Sequence, residues 1–233
     1  MGKYIALLDD DDLAAEHRLE WQVEYLEEHP EIDVLGGRSI DIDEKGRFLK
    51  YEKEPIYNSK LIKANLLFYN RKFANCTVMY RRDFVLRNKI EYEENCLGMQ
   101  DVKFYMECSK VGNISSIDRV LHYKRVHPNE ETAKQREKNA DKRREIFANF
   151  QRYSITKSGF DLSDDDFCVI ASCISDTMRK SYSMDDVKKL FEVFKKIITQ
   201  GRNMKIDYLP ELELSCKKIL GEKILPNCVM FES

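Results

Sequence analysis

Four consecutive carboxylates, Asp9, Asp10, Asp11 and Asp12, follow directly on the apolar run Tyr4-Ile5-Ala6-Leu7-Leu8. Hard divalent cations prefer carboxylate oxygens, and alternate residues of an extended segment point the same way. Asp9 and Asp11 could therefore share one metal ion that neutralises a diphosphate. The ordinary alternative is helix capping, because Asp is favoured at the N-cap and in the first turn, where it meets the positive end of the helix. An EF-hand calcium loop is excluded. The run continues into Leu13-Ala14-Ala15, with no Gly and no distal bidentate Glu at the required positions.

Other candidates are scattered. Asp101 alone reads as a first-turn helix residue, and His127 before Pro128 as a loop residue. Arg81 and Arg82 could contact a phosphate-bearing acceptor, although exposed arginines are the default. Lys134, Arg136, Lys138, Lys142, Arg143 and Arg144 could approach an anionic membrane or a lipid-linked diphosphate. Glu137, Asp141 and Glu145 among them favour a solvated helix instead.

The elements that must position these groups follow from the hydrophobic pattern. Residues 4–8 read as a fully buried strand of the parallel-sheet kind, and open α/β sheets bind ligands beyond the carboxyl ends of their strands. A helix is expected directly after the acidic run, with Leu13, Leu19, Val23 and Leu26 near one face, ended by His29-Pro30. Residues 32–42 read as a strand, with a turn at Glu44-Lys45-Gly46 into residues 47–51. Asn58 caps a short helix through Leu66. Residues 76–80 read as a strand and 82–88 as a helical turn or two. Gln100 to Lys110 reads as a helix facing Val102, Tyr105 and Met106 inward, and residues 114–124 as a strand. From Pro128 the texture becomes helical: a charged helix over 130–154, one capped by Ser163, and one capped by Ser183 with Val187, Leu190, Phe191, Phe194, Ile197 and Ile198 as its core stripe. A last helix begins at Pro210 and closes at Gly221.

Composition narrows the function classes. The 233 residues carry 39 Lys+Arg against 41 Asp+Glu, a net charge of −2, so no basic footprint points to nucleic acid. Apolar residues at 42 % fit a globular chain, and 9 Gly with 5 Pro are too few for an all-β fold rich in tight turns. The 7 cysteines are odd in number and show no C-x-x-C spacing, which reads as reduced thiols of a cytoplasmic protein. The opening apolar run is too short for a signal peptide, and no run approaches the ~20 apolar residues of a membrane span.

The segment Gly2-Lys3-Tyr4-Ile5-Ala6-Leu7-Leu8-Asp9-Asp10-Asp11-Asp12 resembles the D-x-D-D region of family 2, GT-A-fold glycosyltransferases. Arg18-Leu19-Glu20-x-Gln22-Val23 through Gly36-Gly37 is similar to that family's next helix and strand. Asn75-Cys76-Thr77-Val78-Met79-Tyr80-Arg81-Arg82 is similar to its acceptor-side strand. Gln100-Asp101 stands where the family usually has Glu-Asp, and the likeness ends near Tyr123-x-Arg125-x-His127, covering roughly the first 130 residues.

The resemblance implies a partial GT-A, nucleotide-diphospho-sugar transferase domain over residues 1–128, followed by a helical extension over 129–233. By its pattern Asp9 binds the nucleotide, Asp11 ligates Mn²⁺ or Mg²⁺ with Asp12 nearby, and His127 adds a metal or diphosphate contact. Asp101 is the general base, and Asn75, Arg81, Arg82 and Gln100 lie on the acceptor side; Gln100 keeps a hydrogen bond but not the family's charge. The implied reaction moves a sugar, with inversion, from a nucleotide-sugar donor, UDP-linked, to a saccharide or lipid-linked hydroxyl, as in polysaccharide biosynthesis. The family's first strands, which hold base and ribose, have no counterpart before residue 4. The chain alone is therefore expected to be a weak or inactive catalyst. The expectation is either a fragment or a half supplied by another polypeptide, with a homodimer that could cover the edge of the Tyr4 to Leu8 strand and peripheral contact at the inner membrane face as further expectations. The alternative from another class is a non-catalytic α/β-plus-helical interaction module.

Overall fold

A computed structural model describes residues 2–51, 56–68, 74–94, 96–127, 138–175 and 181–228. The chain forms two compact units, Met1–Lys63 with Arg71–Lys138, and Ala64–Asn70 with Asn139–Ser233.

The first unit is α/β, around a six-stranded mixed sheet. Its centre is the pair β3 (Val34–Ile42) and β6 (Ile114–Arg125), which run parallel. β5 (Met79–Arg81) lies antiparallel to β3, and β1 (Tyr4–Ala6) antiparallel to β5. β2 (Leu13–Ala14) adds to the other side of β6, and β4 (Phe48–Tyr51) pairs back onto β3. The turn at residues 44–46 forms where its residues predict. Asp43 Oδ1 accepts from the amides of Lys45 (2.9 Å) and Arg47 (2.8 Å), and Gly46 supplies φ +80°.

Residues 4–8 are not a buried central strand. β1 is an edge strand among the described strands, its partner is antiparallel, and Ile5 and Leu8 are 36 % and 48 % exposed. The helix expected directly after Asp12 also starts later. β2 intervenes, and α1 spans Arg18–Glu28. Leu13 and Leu19 are exposed, and the buried stripe is Arg18, Gln22 and Leu26 at i, i+4, i+8.

Leu26, Ile32, Leu35, Met79, Ile117 and Leu121 form the core between α1 and the sheet, with Trp21, Val23 and Tyr25 packed on it. Gly37 is required there, because a Cβ at that position would fall 2.5 Å from Leu121 Cδ1. α2 (Ser59–Leu67) begins at its expected cap, Leu61 N donating to Asn58 Oδ1 at 3.0 Å. The strand expected over residues 76–80 is split, with a 3₁₀ turn at Asn75–Thr77 preceding β5 and then α3 (Arg82–Arg87). α4 (Gln100–Val111) buries Val102, Tyr105 and Met106 as its spacing predicts.

The second unit is helical. α5 (Ala140–Lys157) is the described part of the expected charged helix; residues 130–137, with Lys134 and Arg136, lie outside the described residues. α6 (Asp164–Ile170) and α7 (Met184–Asn203) each open on a capping box, Ser163 with Asp166 and Ser183 with Asp186. The core is Phe68, Ile155, Phe160, Leu190, Phe194, Ile197, Leu212 and their neighbours. The stripe of α7 differs at one position. Phe191 is 53 % exposed, and Val193 takes the buried place. α8 (Leu209–Lys218) does not close at Gly221 but continues as a π turn, Ile219–Ile224, and a 3₁₀ turn, Leu225–Asn227. No helix among the described residues is long and apolar enough to cross a membrane.

Candidate functional site

The acidic run is a turn between two strands, not a helix cap. Leu7 N donates to Val78 O (3.0 Å), continuing the β1 pairing up to the run, and Asp12 N donates to Asp9 O (3.3 Å), closing the turn. β2 then pairs with β6, and Ala15 N donates to Leu121 O at 3.0 Å. This places the run beside the carboxyl end of β6, the position at which open α/β sheets hold ligands.

One carboxylate oxygen each of Asp9, Asp11 and Asp12 lie within 4.8 Å of one another. At an effective dielectric of about 20, two such charges repel by roughly 3–4 kcal/mol, against about 1 kcal/mol in bulk water. The structure supplies partial compensation. Arg125 N donates to Asp12 Oδ1 (2.8 Å) and its Nε to Asp11 O (3.1 Å), while its Nη1 donates to Glu44 O (2.9 Å), tying the β3–β4 turn to the site. His127 Nε2 lies 2.9 Å from Asp11 Oδ2, and this hydrogen bond holds the Asp11 carboxyl below the usual carboxylate range. Asp11 and His127, predicted as metal contacts, are thus brought together. Hard oxygens at this spacing, those of Asp9 and Asp11 exposed and with an imidazole at their edge, fit Mg²⁺ or Mn²⁺.

A buried layer lies beneath. His122, 1 % exposed, hydrogen-bonds through Nε2 to Asp12 Oδ2 and through Nδ1 to Ser39 Oγ, both at 2.8 Å. An ionised carboxylate only accepts, so Nε2 donates to Asp12, and in the neutral ring Nδ1 accepts from the Ser39 hydroxyl. The contact depends on irregular pairing. Between Gly36↔Ser116 and Ser39↔His122, β3 advances three residues and β6 six, and the bulges set His122 opposite Ser39. Cys76, also buried, hydrogen-bonds to Asp9. Burial, that hydrogen bond and the nearby charges of Asp9 and Asp12 push its thiol up to about 12.

Cys76 belongs to the Asn75–Thr77 turn, which links the acidic cluster to α4. Asn75 Oδ1 accepts from Tyr105 OH at 2.6 Å, and Tyr105 stands one helical turn after Asp101. Asn75 and Asp101 are thereby related through one face of α4. Asp101 is 9 % exposed in the first turn of α4 and belongs to neither cluster of potential metal ligands among the described residues, while Gln100 beside it is exposed. The turn is held from α1: Gln22 Nε2 donates to Thr77 O (2.9 Å) and Leu35 O (3.1 Å), and Arg18 donates to Gln22 Oε1 (2.9 Å) and Val78 O (3.2 Å).

Arg81 is engaged within the fold, donating to the carbonyls of Leu26, His29 (3.2 Å) and Ile32 (2.8 Å) and to Tyr4 OH (3.1 Å). It closes the C-terminal end of α1. Arg82 is half-buried, 3.8 Å from Asp83. Sequence reasoning passed over His122, Ser39 and Cys76. The one available signal was a histidine at the carboxyl end of a strand, and the bulges that aim it have no sequence signature.

Residues 1–87 match the family model described as Glycosyl transferase family 2. An uncharacterized glycosyltransferase of Methanocaldococcus jannaschii is 37 % identical over 107 residues, 46 % of this chain and 36 % of that protein. The amylovoran biosynthesis glycosyltransferase AmsE of Erwinia amylovora is 27 % identical over 118 residues, 50 % of this chain and 42 % of that protein. The match thus spans less than half of either relative. A crystal structure of S. aureus TarS 1-349 in complex with UDP-GlcNAc aligns at 17 % identity with a TM-score of 0.48, covering 94 % of this chain and 67 % of that one. The family match includes the acidic run, Asn75, Cys76, Arg81 and Arg82, and stops before Asp101, His122 and His127.

Proposed function

We propose that this chain, a member of glycosyl transferase family 2 through its first 87 residues, builds the metal and acceptor side of a sugar-transfer centre. The donor is a nucleotide sugar, UDP-linked, and the acceptor a saccharide or lipid-linked hydroxyl. The observation that supports this reading best is the three-carboxylate cluster at the strand end, with His127 on Asp11.

In this reading Asp9 orients the nucleotide, while Asp11 and His127 hold Mg²⁺ or Mn²⁺. Such an ion, when bound, offsets the charge on the leaving diphosphate. Asp101 takes the proton of the acceptor hydroxyl as its oxygen bonds to the anomeric carbon. The bond from that carbon to the diphosphate oxygen breaks, its electron pair leaves with the nucleoside diphosphate, and attack opposite the leaving group inverts the centre. Asn75 and Gln100 border the acceptor. Arg81 holds the end of α1 in place, and the proposal gives it no contact with the acceptor.

Calorimetric titration of the chain with Mn²⁺, then with UDP in the presence of Mn²⁺, tests the reading. Saturable binding of both, lost in Asp11→Asn, is the expected result. Binding of neither ligand overturns it in favour of the α/β-plus-helical interaction module.

A further inference from the structure

Asp12 belongs to two clusters. One is the exposed oxygen set with Asp9 and Asp11. The other joins it to Cys76 and His122, whose ligand atoms also lie within 4.8 Å of one another. The second set differs in every property that governs metal choice. It offers one oxygen, one imidazole nitrogen and one sulfur instead of three hard oxygens, and Cys76 and His122 are buried.

From this juxtaposition we infer a second metal site, formed by Asp12, Cys76 and His122, that takes a thiophilic divalent ion of the Zn²⁺ class.

Three arguments converge. The first is donor chemistry: sulfur and imidazole ligands suit Zn²⁺, whereas Mg²⁺ avoids both. The second is geometry. Zinc bonds of about 2.0–2.3 Å in a tetrahedral site set ligand atoms roughly 3.3–3.7 Å apart. His122 Nε2 and Asp12 Oδ2 are 2.8 Å apart, and all three atoms fall within 4.8 Å, so no separation needs to change by more than about 1.5 Å. The third is charge. A thiolate and a carboxylate carry two negative charges that a divalent ion cancels, and a neutral complex is what a buried site tolerates. Asp9 and Asp12, which disfavour a bare thiolate at Cys76, favour a cation there; Arg18, the buried cation that interacts with Cys76, opposes it.

Binding releases the Cys76 thiol proton to solvent, while the ring proton of His122 moves from Nε2 to Nδ1, so that the imidazole stays neutral and Nε2 is free for the metal. Ser39 supplies the outer contact. Its Oγ lies at Nδ1, on the other side of the ring, and accepts from the Nδ1–H of the tautomer that turns Nε2 to the metal. The site does not depend on the sugar-transfer reading, because Asp11 and Asp101 take no part in it.

Titration of the full chain with Co²⁺ and Cd²⁺, followed by absorption, tests this directly. The expected result is one equivalent of ion giving a thiolate-to-metal charge-transfer band that Cys76→Ser removes. Zn²⁺ displaces the Co²⁺ and bleaches the band. Ser39→Ala keeps all three ligands and lowers affinity about 10- to 100-fold. Asp11→Asn leaves the band in place, which separates this site from the exposed one. A band that survives in Cys76→Ser, held by a thiol such as the exposed Cys168, overturns the inference. So does the absence of any band in the unsubstituted chain.

Discussion

In the α/β unit the helix against the sheet buries Arg18 and Gln22, whereas in the helical unit α7 buries Leu190, Val193, Phe194 and Ile197. The first choice is costly. A guanidinium and an amide leave water, and are compensated by the hydrogen bond between them and by bonds to Val78 O, Leu35 O and Thr77 O. The second is ordinary packing, worth roughly 1.5–3 kcal/mol for each fully buried large side chain. The polar stripe fixes the Asn75–Thr77 turn, and that turn carries Cys76 against the acidic cluster and Asn75 against α4. In the helical unit, by contrast, buried polar groups close on themselves: Ser215 donates to Asn65, and Ser175 to Gln151. Burying polarity there orders the core without presenting anything to a ligand. The difference teaches where the molecule exchanges stability for position.

The sharpest contrast is in catalysis. Asp101→Asn retains the shape of the α4 start and removes the proposed proton acceptor, so transfer should fall about 10²- to 10⁴-fold. Mn²⁺ and UDP binding should be kept, because Asp101 lies outside the acidic cluster. An initial-rate assay beside calorimetry reads both, and unchanged transfer removes Asp101 from its role. An equally isosteric change in the helical unit, Asp164→Asn, should leave the rate constant for chemistry unaltered.

Gln22→Leu and Phe194→Ala form a pair that tests the contrast at the level of folding. Phe194→Ala empties a core position in edge contact with Phe68, ring centroids 5.2 Å apart, and should cost about 3–5 kcal/mol in denaturant unfolding. Gln22→Leu preserves volume but leaves two carbonyls and the Arg18 guanidinium without this partner, about 1–3 kcal/mol for each buried group. Below its unfolding transition Phe194→Ala should bind Mn²⁺ as before, whereas Gln22→Leu should weaken binding, since the turn beneath the cluster loses its anchor. Equal effects on binding would erase the distinction between the two regions.

Much of this was legible in the sequence. The periodicity of α4, the cap of α2, the turn before β4 and the Ser163 and Ser183 caps all rest on local chemistry, which a sequence displays. The α/β class with a helical region after it, and the likeness of the first 87 residues to glycosyl transferase family 2, followed from the order of motifs. The failures share a cause. Arg18 and Gln22 look like the solvent face of an amphipathic helix, and only the carbonyls that receive them, contributed by residues distant in sequence, make their burial tolerable. Residues 4–8 read as central because they are continuously apolar, yet β1 has one described partner strand. His122 is aimed by two register shifts that arise from pairing, not from its neighbours. The acidic run itself was visible; the imidazole layer beneath it was not.

The smallest effect concerns charge. In the α/β unit Asp11 pairs with His127 at the candidate site, while in the helical unit Asp166 serves a helix start. Burial would raise the Asp166 pKa, but the Lys196 ammonium at 2.7 Å and the Ser163 hydroxyl and amide outweigh it, leaving the carboxyl below its ordinary value. A depressed carboxyl pKa in the folded state means that its contribution is complete above the unfolded value, near 3.8, and is lost as pH falls through the lower folded one. Lys196 is 53 % exposed, so solvent screening limits the pair to within about 1 kcal/mol. Asp166→Asn should therefore lower unfolding free energy slightly at pH 7 and flatten its acid-side slope. The two proteins should converge once Asp166 is protonated. Denaturant unfolding across that range reads the convergence directly. A gap that persists at low pH would mean that Asp166 acts through its hydrogen bonds to Ser163 and not through its charge, and the helical unit would then share the α/β unit's reliance on position.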